Sequence, residues 1–215
     1  MGLTAIQGKS ESPQEWVGKK RFRKAVSLGY ACDVAFQIRR VFDQTESYPF
    51  DWLLTPLDAV EALIENSFAG FLIPENLCLE RDYILDLSNG IKYLHDFKNH
   101  QDFLSEVSDV QEKYSRRIAR WLELMNGDAQ VLFIRGQKDY NKLPPIDLAA
   151  ARRLWSIISK TYPAIDPHLL VIQPLDCAVP EFTDNKIKMV RMGNPDPIVW
   201  SGDDGKWQHL LSGYQ

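Results

Sequence analysis

Two short, unbroken apolar runs constrain this chain more than any other feature of it. Val131-Leu132-Phe133-Ile134-Arg135 and the stretch 168–173 show no alternation of polar and apolar residues, as expected of strands covered on both faces. Helical patterns surround them. The longest spans about 102–125, with Phe103, Leu104, Val107, Val110, Tyr114, Ile118, Trp121, Leu122 and Met125 as its stripe, and Asn126-Gly127 closes it. Asp147 caps another helix that runs to 160. Strands alternating with helices predict a single layered α/β/α domain with a largely parallel central sheet.

The rest of the chain fits that frame. Residues 24–29 read as a first strand ending at Gly29, followed by a helix over 32–42 whose face is Val34, Ala35, Ile38, Val41 and Phe42. Thr55, Pro56 and Asp58 have the order of a helix start: a cap hydroxyl, a proline in the first turn and an acid beside the dipole. Ser88-Asn89-Gly90 lies between two strand-like runs, 83–87 and 91–97, and predicts a β-hairpin. A last strand is expected at 187–192, with 198–200 extending the sheet. The boundaries predicted are a polar leader over 1–23 and one α/β domain over 24–215.

Charge and composition narrow the function classes. Lys plus Arg number 25 against 29 Asp plus Glu, a net charge of −4, so no general affinity for a phosphate backbone and no nucleic-acid partner are expected. The one basic run, at 19–24, is read as solvating the approach to the first strand. No apolar stretch approaches the ~20 residues that span a bilayer, and the polar N-terminus has no signal-peptide pattern. Three cysteines, Cys32, Cys78 and Cys177, are an odd count without close spacing, which argues against a disulfide framework. A cytoplasmic location is the expectation. Glycine-rich phosphate loops, the G-x-S-x-G elbow, H-E-x-x-H and C-x-x-C are all missing, so neither a metal site nor a cofactor is expected.

What remains is Ser27-Leu28-Gly29-Tyr30-Ala31-Cys32, which puts a cysteine at the first turn of a helix. Unpaired N–H groups and the positive end of the helix dipole favour a thiolate there, and the same groups can hold an oxyanion. Cys32 lies roughly 120° from the centre of the apolar face of its helix, so packing does not claim it; the alternative is a small buried cysteine filling a corner. His95, on the second arm of the hairpin, is the best placed base, and a hairpin histidine bound to backbone is its alternative. Asp51, between Phe50 and Trp52, is the expected orienting carboxylate. Asp96 adjoins His95 and on a strand would face the other way. Arg117 at the edge of the long helix and Arg135 at a strand end could clamp an anionic substrate group, whereas Arg116 and Arg120 are expected to pair with Glu112 and Glu123 along the helix. Trp200, Trp207 and Tyr214 form an aromatic tail expected to close over the core edge.

Ser27-Leu28-Gly29 with Cys32, Tyr48-Pro49-Phe50-Asp51-Trp52, His95-Asp96-Phe97, Arg116-Arg117 with Arg120, and Val131 to Arg135 together resemble a mostly bacterial family of uncharacterised proteins named for papain-like cysteine peptidases. The likeness runs from about 26 to 173. It implies Cys32 as nucleophile and His95 as base, and Ser27, Gly29, Trp52 and Asp96, within the same motifs, are expected beside the substrate. Papain-like enzymes keep the same order of cysteine and histidine, but here a long helix follows the histidine where another strand is expected. The function expected is thus a cysteine hydrolase or acyl-transfer enzyme acting on a small-molecule or peptide amide or ester. Two rivals are a transferase for phosphorylated or nucleotide-linked sugars centred on the arginines, and a non-catalytic binding module.

Overall fold

The computed structural model describes residues 22–137, 144–193 and 199–214. In chain order the first part comprises β1 (Lys24–Ser27), α1 (Cys32–Phe42), β2 (Leu53–Leu54), α2 (Leu57–Glu65), β3 (Leu77–Glu80), β4 (Tyr83–Asp86) and β5 (Lys92–Tyr93). Then follow α3 (Val107–Met125), β6 (Gln130–Gly136), α4 (Leu148–Thr161), β7 (Asp166–Gln173), β8 (Phe182–Thr183), β9 (Ile187–Arg191) and α5 (Asp204–Leu211). The central sheet has the order β1-β6-β7-β9-β8; its first four strands are parallel and β8 closes the edge antiparallel to β9.

The apolar runs behave as doubly covered strands must. Val131 and Phe133 of β6, with Leu169 and Val171 of β7, pack with Trp121 of α3 and with Leu154 and Ile158 of α4. Their neighbours Leu132, Ile134, Leu170 and Ile172 pack on the other face with Val34, Ile38 and Val41 of α1 and Trp207 and Leu211 of α5. Period-2 alternation thus splits one apolar run between two cores, because each face has its own helical layer. Polar bonds reinforce the α1–α5 layer: the fully buried Gln37 amide donates to Ser201 O (2.8 Å) and to Asp204 Oδ1 (2.7 Å). Trp207 and Tyr214 are buried at that edge, while Trp200 is exposed against the ring of Phe36.

A second, four-stranded antiparallel sheet, β2-β5-β4-β3, lies beside the first. The Asn-Gly hairpin is its centre, joined by β3 and β2, neither of which the sequence had marked. Asp86 builds the turn: its carboxylate accepts from Ser88 N (3.0 Å), from the Ser88 hydroxyl (2.6 Å) and from Asn89 Nδ2 (3.0 Å).

Four expectations need correction. The second hairpin arm is only Lys92–Tyr93, so His95 and Asp96 lie in a bend beyond it, and strand alternation does not govern where they point. The long helix starts at Val107; a 3₁₀ segment, His100–Glu106, precedes it, and Leu104 is exposed. Thr55 does not cap α2, whose N-cap is Pro56, because its hydroxyl is used elsewhere. Val199 and Trp200 form no strand, while Ile198 lies outside the described residues, as do 1–21 of the polar leader. Phe22 is already buried, against His168 and Tyr214. No described helix is long and apolar enough to cross a membrane.

Candidate active site

The passage from β1 to α1 is a tight elbow. Gly29 has φ +75°, and a side chain there would bring its Cβ to 2.3 Å from Thr55 Oγ1. Tyr30 follows at φ +80°, an unusual conformation for a bulky residue that persists only where its surroundings fix it. Ser27 Oγ accepts from Gly29 N (3.0 Å) and Thr55 Oγ1 accepts from Tyr30 N (2.9 Å). The Thr55 hydroxyl in turn donates to Leu28 O (3.3 Å) and accepts from Arg135 Nη1 (2.8 Å). One proton given and two lone pairs occupied exhaust what a hydroxyl can do.

Arg135 lies underneath, fully buried. Its Nη1 also donates to Leu28 O (2.8 Å), its Nη2 donates to Thr55 O (2.6 Å), and its guanidinium sits 5.4 Å from the Tyr30 ring centroid. Burial pushes it down to about 9, so it remains charged at neutral pH. Arg135 therefore does not stand open at the sheet rim; it braces the elbow. Ser27 and Gly29, also sealed into this turn, shape it from within.

The elbow delivers Cys32 as the first residue of α1, after Ala31 in extended conformation as N-cap. The thiol is half-buried and donates to Trp52 O at 3.7 Å. Trp52 has φ +69° and leaves a turn in which Asp51 N donates to Tyr48 O (3.2 Å) and Asp51 Oδ2 accepts from Tyr48 N (3.0 Å). The Trp52 indole faces the Arg39 guanidinium at 5.3 Å. Burial raises Asp51 to about 6, against the opposing pull of the Tyr48 N–H and of Arg117, Arg39 and Arg120.

His95 follows β5, the strand that pairs with β2. Leu53 is the ladder partner of Tyr93 and Leu54 of Lys92. The ladder ends at the Leu53–Tyr93 pair; Trp52 precedes Leu53 in its turn, and His95 lies two residues beyond Tyr93 in its bend. Trp52, whose carbonyl accepts from the Cys32 thiol, and the bend that carries His95 thus flank the same end of this ladder. The His95 ring is exposed and makes no hydrogen bond among the described residues; the Asp51 carboxylate bonds its own turn and not this ring. Asp96 is turned inward, its side chain only 4% exposed, and accepts from Lys113 Nζ at 2.6 Å. Burial first, and the Asp96 carboxylate next, push the Tyr114 hydroxyl well up.

The arginines do not gather. Arg116 pairs with Glu112 one helical turn away, as expected. Arg120 does not pair along the helix: it donates through Nε and Nη2 to Ser47 O (3.1 and 2.9 Å) and fastens the loop before Asp51. Arg117 lies over the Tyr114 ring at 4.8 Å and acts on Asp51. Thr55, Tyr30 and Arg39 had drawn no attention as site residues. Among the described residues no group of three or more His, Cys, Asp or Glu side chains is arranged to hold a metal ion.

The sequence profile of a family described as "Putative papain-like cysteine peptidase (DUF1796)" matches residues 23–172. The chain belongs to this family. The match takes in the elbow, the Tyr48–Trp52 turn, the His95 bend and Arg135, and ends inside β7, before α5. The uncharacterised protein R408 of Acanthamoeba polyphaga mimivirus is 28% identical over 143 aligned residues, covering 55% of this chain and 63% of that protein. The alignment thus spans less than two thirds of the relative's length. No solved structure matches significantly.

Proposed function

We propose that this chain is a cysteine-nucleophile hydrolase or acyl-transfer enzyme acting on an amide or ester of an anionic small molecule or peptide. The observation that carries the reading is the seat of Cys32. Its thiol stands at a helix start, 3.7 Å from Trp52 O, and the strand that follows Trp52 pairs with the strand that ends two residues before His95. Family membership supports the same class of chemistry.

In this reading the Cys32 proton passes to the His95 imidazole as the sulfur pair forms a C–S bond to the substrate carbonyl carbon. Backbone N–H groups at the start of α1 steady the oxyanion. The tetrahedral adduct collapses, the C–N or C–O bond breaks, and the imidazolium returns the proton to the leaving amine or alcohol. Water, or another acceptor nucleophile, then attacks the thioester; its proton goes to His95 and on to the departing sulfur. Asp51 acts through the field around the Trp52 turn, while Arg117 and Arg39 set the positive potential that favours an anionic substrate. The arginine-centred sugar-phosphate reading has less support, because Arg116, Arg120 and Arg135 each have partners within the protein.

The test is turnover of fluorogenic peptide amides and aryl esters, with and without a terminal carboxylate. Cys32→Ala is expected to abolish it and His95→Ala to lower it by about 10²–10⁴-fold, with carboxylate-bearing substrates preferred. Equal turnover by Cys32→Ala and wild type sinks the proposal. So does iodoacetamide labelling of Cys78 and Cys177 ahead of Cys32 at neutral pH.

A further inference from the structure

A fully buried guanidinium needs a reason, since desolvating a charge is costly unless its donors are met. Arg135 meets this requirement through its two terminal nitrogens alone, its buried Nε having no hydrogen-bond partner among the described residues. Its partners are Leu28 O, Thr55 Oγ1 and Thr55 O, and among the described residues no carboxylate lies within ion-pair distance of it. The charge is therefore solvated by neutral oxygens and not cancelled locally. All three oxygens belong to the two segments that build the nucleophile's seat: Leu28, which follows β1, and Thr55, which follows β2. The planar fork reaches both at once, which a lysine ammonium on a flexible stem could not match. Thr55 is the hub, because its hydroxyl also receives Tyr30 N and gives to Leu28 O.

We infer that Arg135, acting through Thr55, is the positioning residue of the nucleophile, holding the Leu28–Tyr30 backbone so that α1 presents the Cys32 thiol toward the end of the β2–β5 ladder. The inference rests on the reading of Cys32 as nucleophile, and it gives Arg135 a role behind the site instead of in contact with substrate. The titratable groups on the helix that carries Cys32 and on the segments that flank its seat are Asp33 and Arg39 on α1, Asp51 in the turn before Trp52, His95 and Asp96 beyond β5, and Arg135 on β6. Of these, Arg135 is the one bonded directly to the elbow backbone.

The test uses Thr55→Val, which keeps shape and removes the hub hydroxyl, Thr55→Ser, which restores it, and Arg135→Lys, which keeps the charge and loses the fork. Circular dichroism and thermal melting establish that each is folded. The readout is the rate of iodoacetamide alkylation of Cys32 against pH, by peptide mass spectrometry with Cys78 as internal reference, alongside turnover. Thr55→Val is expected to slow Cys32 alkylation about tenfold or more and displace its pH profile, with Thr55→Ser close to wild type. Arg135→Lys is expected to retain the midpoint of the profile and to lose rate by a similar factor. Folded Thr55→Val and Arg135→Lys proteins with wild-type Cys32 alkylation overturn the inference, whether or not turnover changes. If Cys32→Ala leaves turnover intact, the proposed function falls, while the alkylation profile still decides for or against Arg135.

Discussion

The two halves of the candidate site are built in opposite ways. Cys32 stands on an elbow whose backbone is bound at Gly29 N, Tyr30 N and Leu28 O, above a buried arginine, with two successive residues at positive φ. His95 stands in an exposed bend after a strand of two residues, its ring without a hydrogen bond among the described residues. Its neighbour Asp96 is tied to Lys113, and the chain beyond is held where Lys98 N and Asn99 N donate to the Glu106 carboxylate. The seat of Cys32 is thus part of the core, whereas His95 hangs from the end of a short ladder. Strain of this kind persists only where the surroundings over-determine it, so the elbow should govern stability and the bend should govern chemistry.

The sharpest way to break that contrast is Gly29→Ala. With φ +75° and Thr55 Oγ1 at 2.3 Å from the added carbon, the substitution is expected to cost about 3 kcal/mol or more in urea unfolding. His95→Ala, on the exposed side, should stay within about 0.5 kcal/mol of wild type while losing turnover. Comparable stability losses at both positions would refute the division.

Asp51 offers the next largest effect, through pH. Its carboxyl is raised to about 6 from an ordinary 3.8, chiefly by burial. The folded protein therefore binds this proton more tightly than the unfolded chain. The stability it contributes is present in full below the ordinary value and is lost as pH rises from about 4 through about 6, by roughly 2–3 kcal/mol. Asp51→Asn should remove that slope from the difference between the two proteins' unfolding free energies. An unchanged slope would mean that the three arginines around the turn already compensate the buried charge.

Lys113→Met gives the smallest effect and tests the bend alone. Leaving the inward-facing Asp96 carboxylate without its ammonium partner should cost on the order of 1–2 kcal/mol by thermal melting. It should also lower turnover more than it weakens Cys32 alkylation. Equal losses in both would tie the bend to the elbow and blur the distinction.

The sequence made the layers legible, because their physics is local. Uniformly apolar β6 and β7 signal two covered faces, and Asn89-Gly90 marks a turn that few other dipeptides make. The 3.6-residue spacing in 32–42 gave α1 its bounds. Strands β2 and β3 were not legible, since two to four residues leave too little pattern to distinguish from loop. In the site, Cys32 and Asp51 stood out from their immediate neighbours. Thr55 did not, because Thr-Pro-x-Asp reads equally well as a helix start, and its actual partner Arg135 lies 80 positions away. For the same reason Arg135 read as a rim cation: the strand run tells that its neighbours are buried, but not that oxygens wait above it. His95 was singled out by residue type and order, yet its bend depends on where β5 stops, which tertiary pairing decides.

The clasp between Gln37 and the Ser201–Asp204 corner has a practical corollary. The stretch shared with the family ends inside β7, yet α1 leans on α5, which comes later. A version trimmed to the shared stretch would bare one flank of the helix that bears the thiol and deprive the Gln37 amide of both its acceptors. Any minimal functional fragment of this polypeptide must therefore keep its tail at least through Tyr214, and an inactive shorter one would say nothing about Cys32.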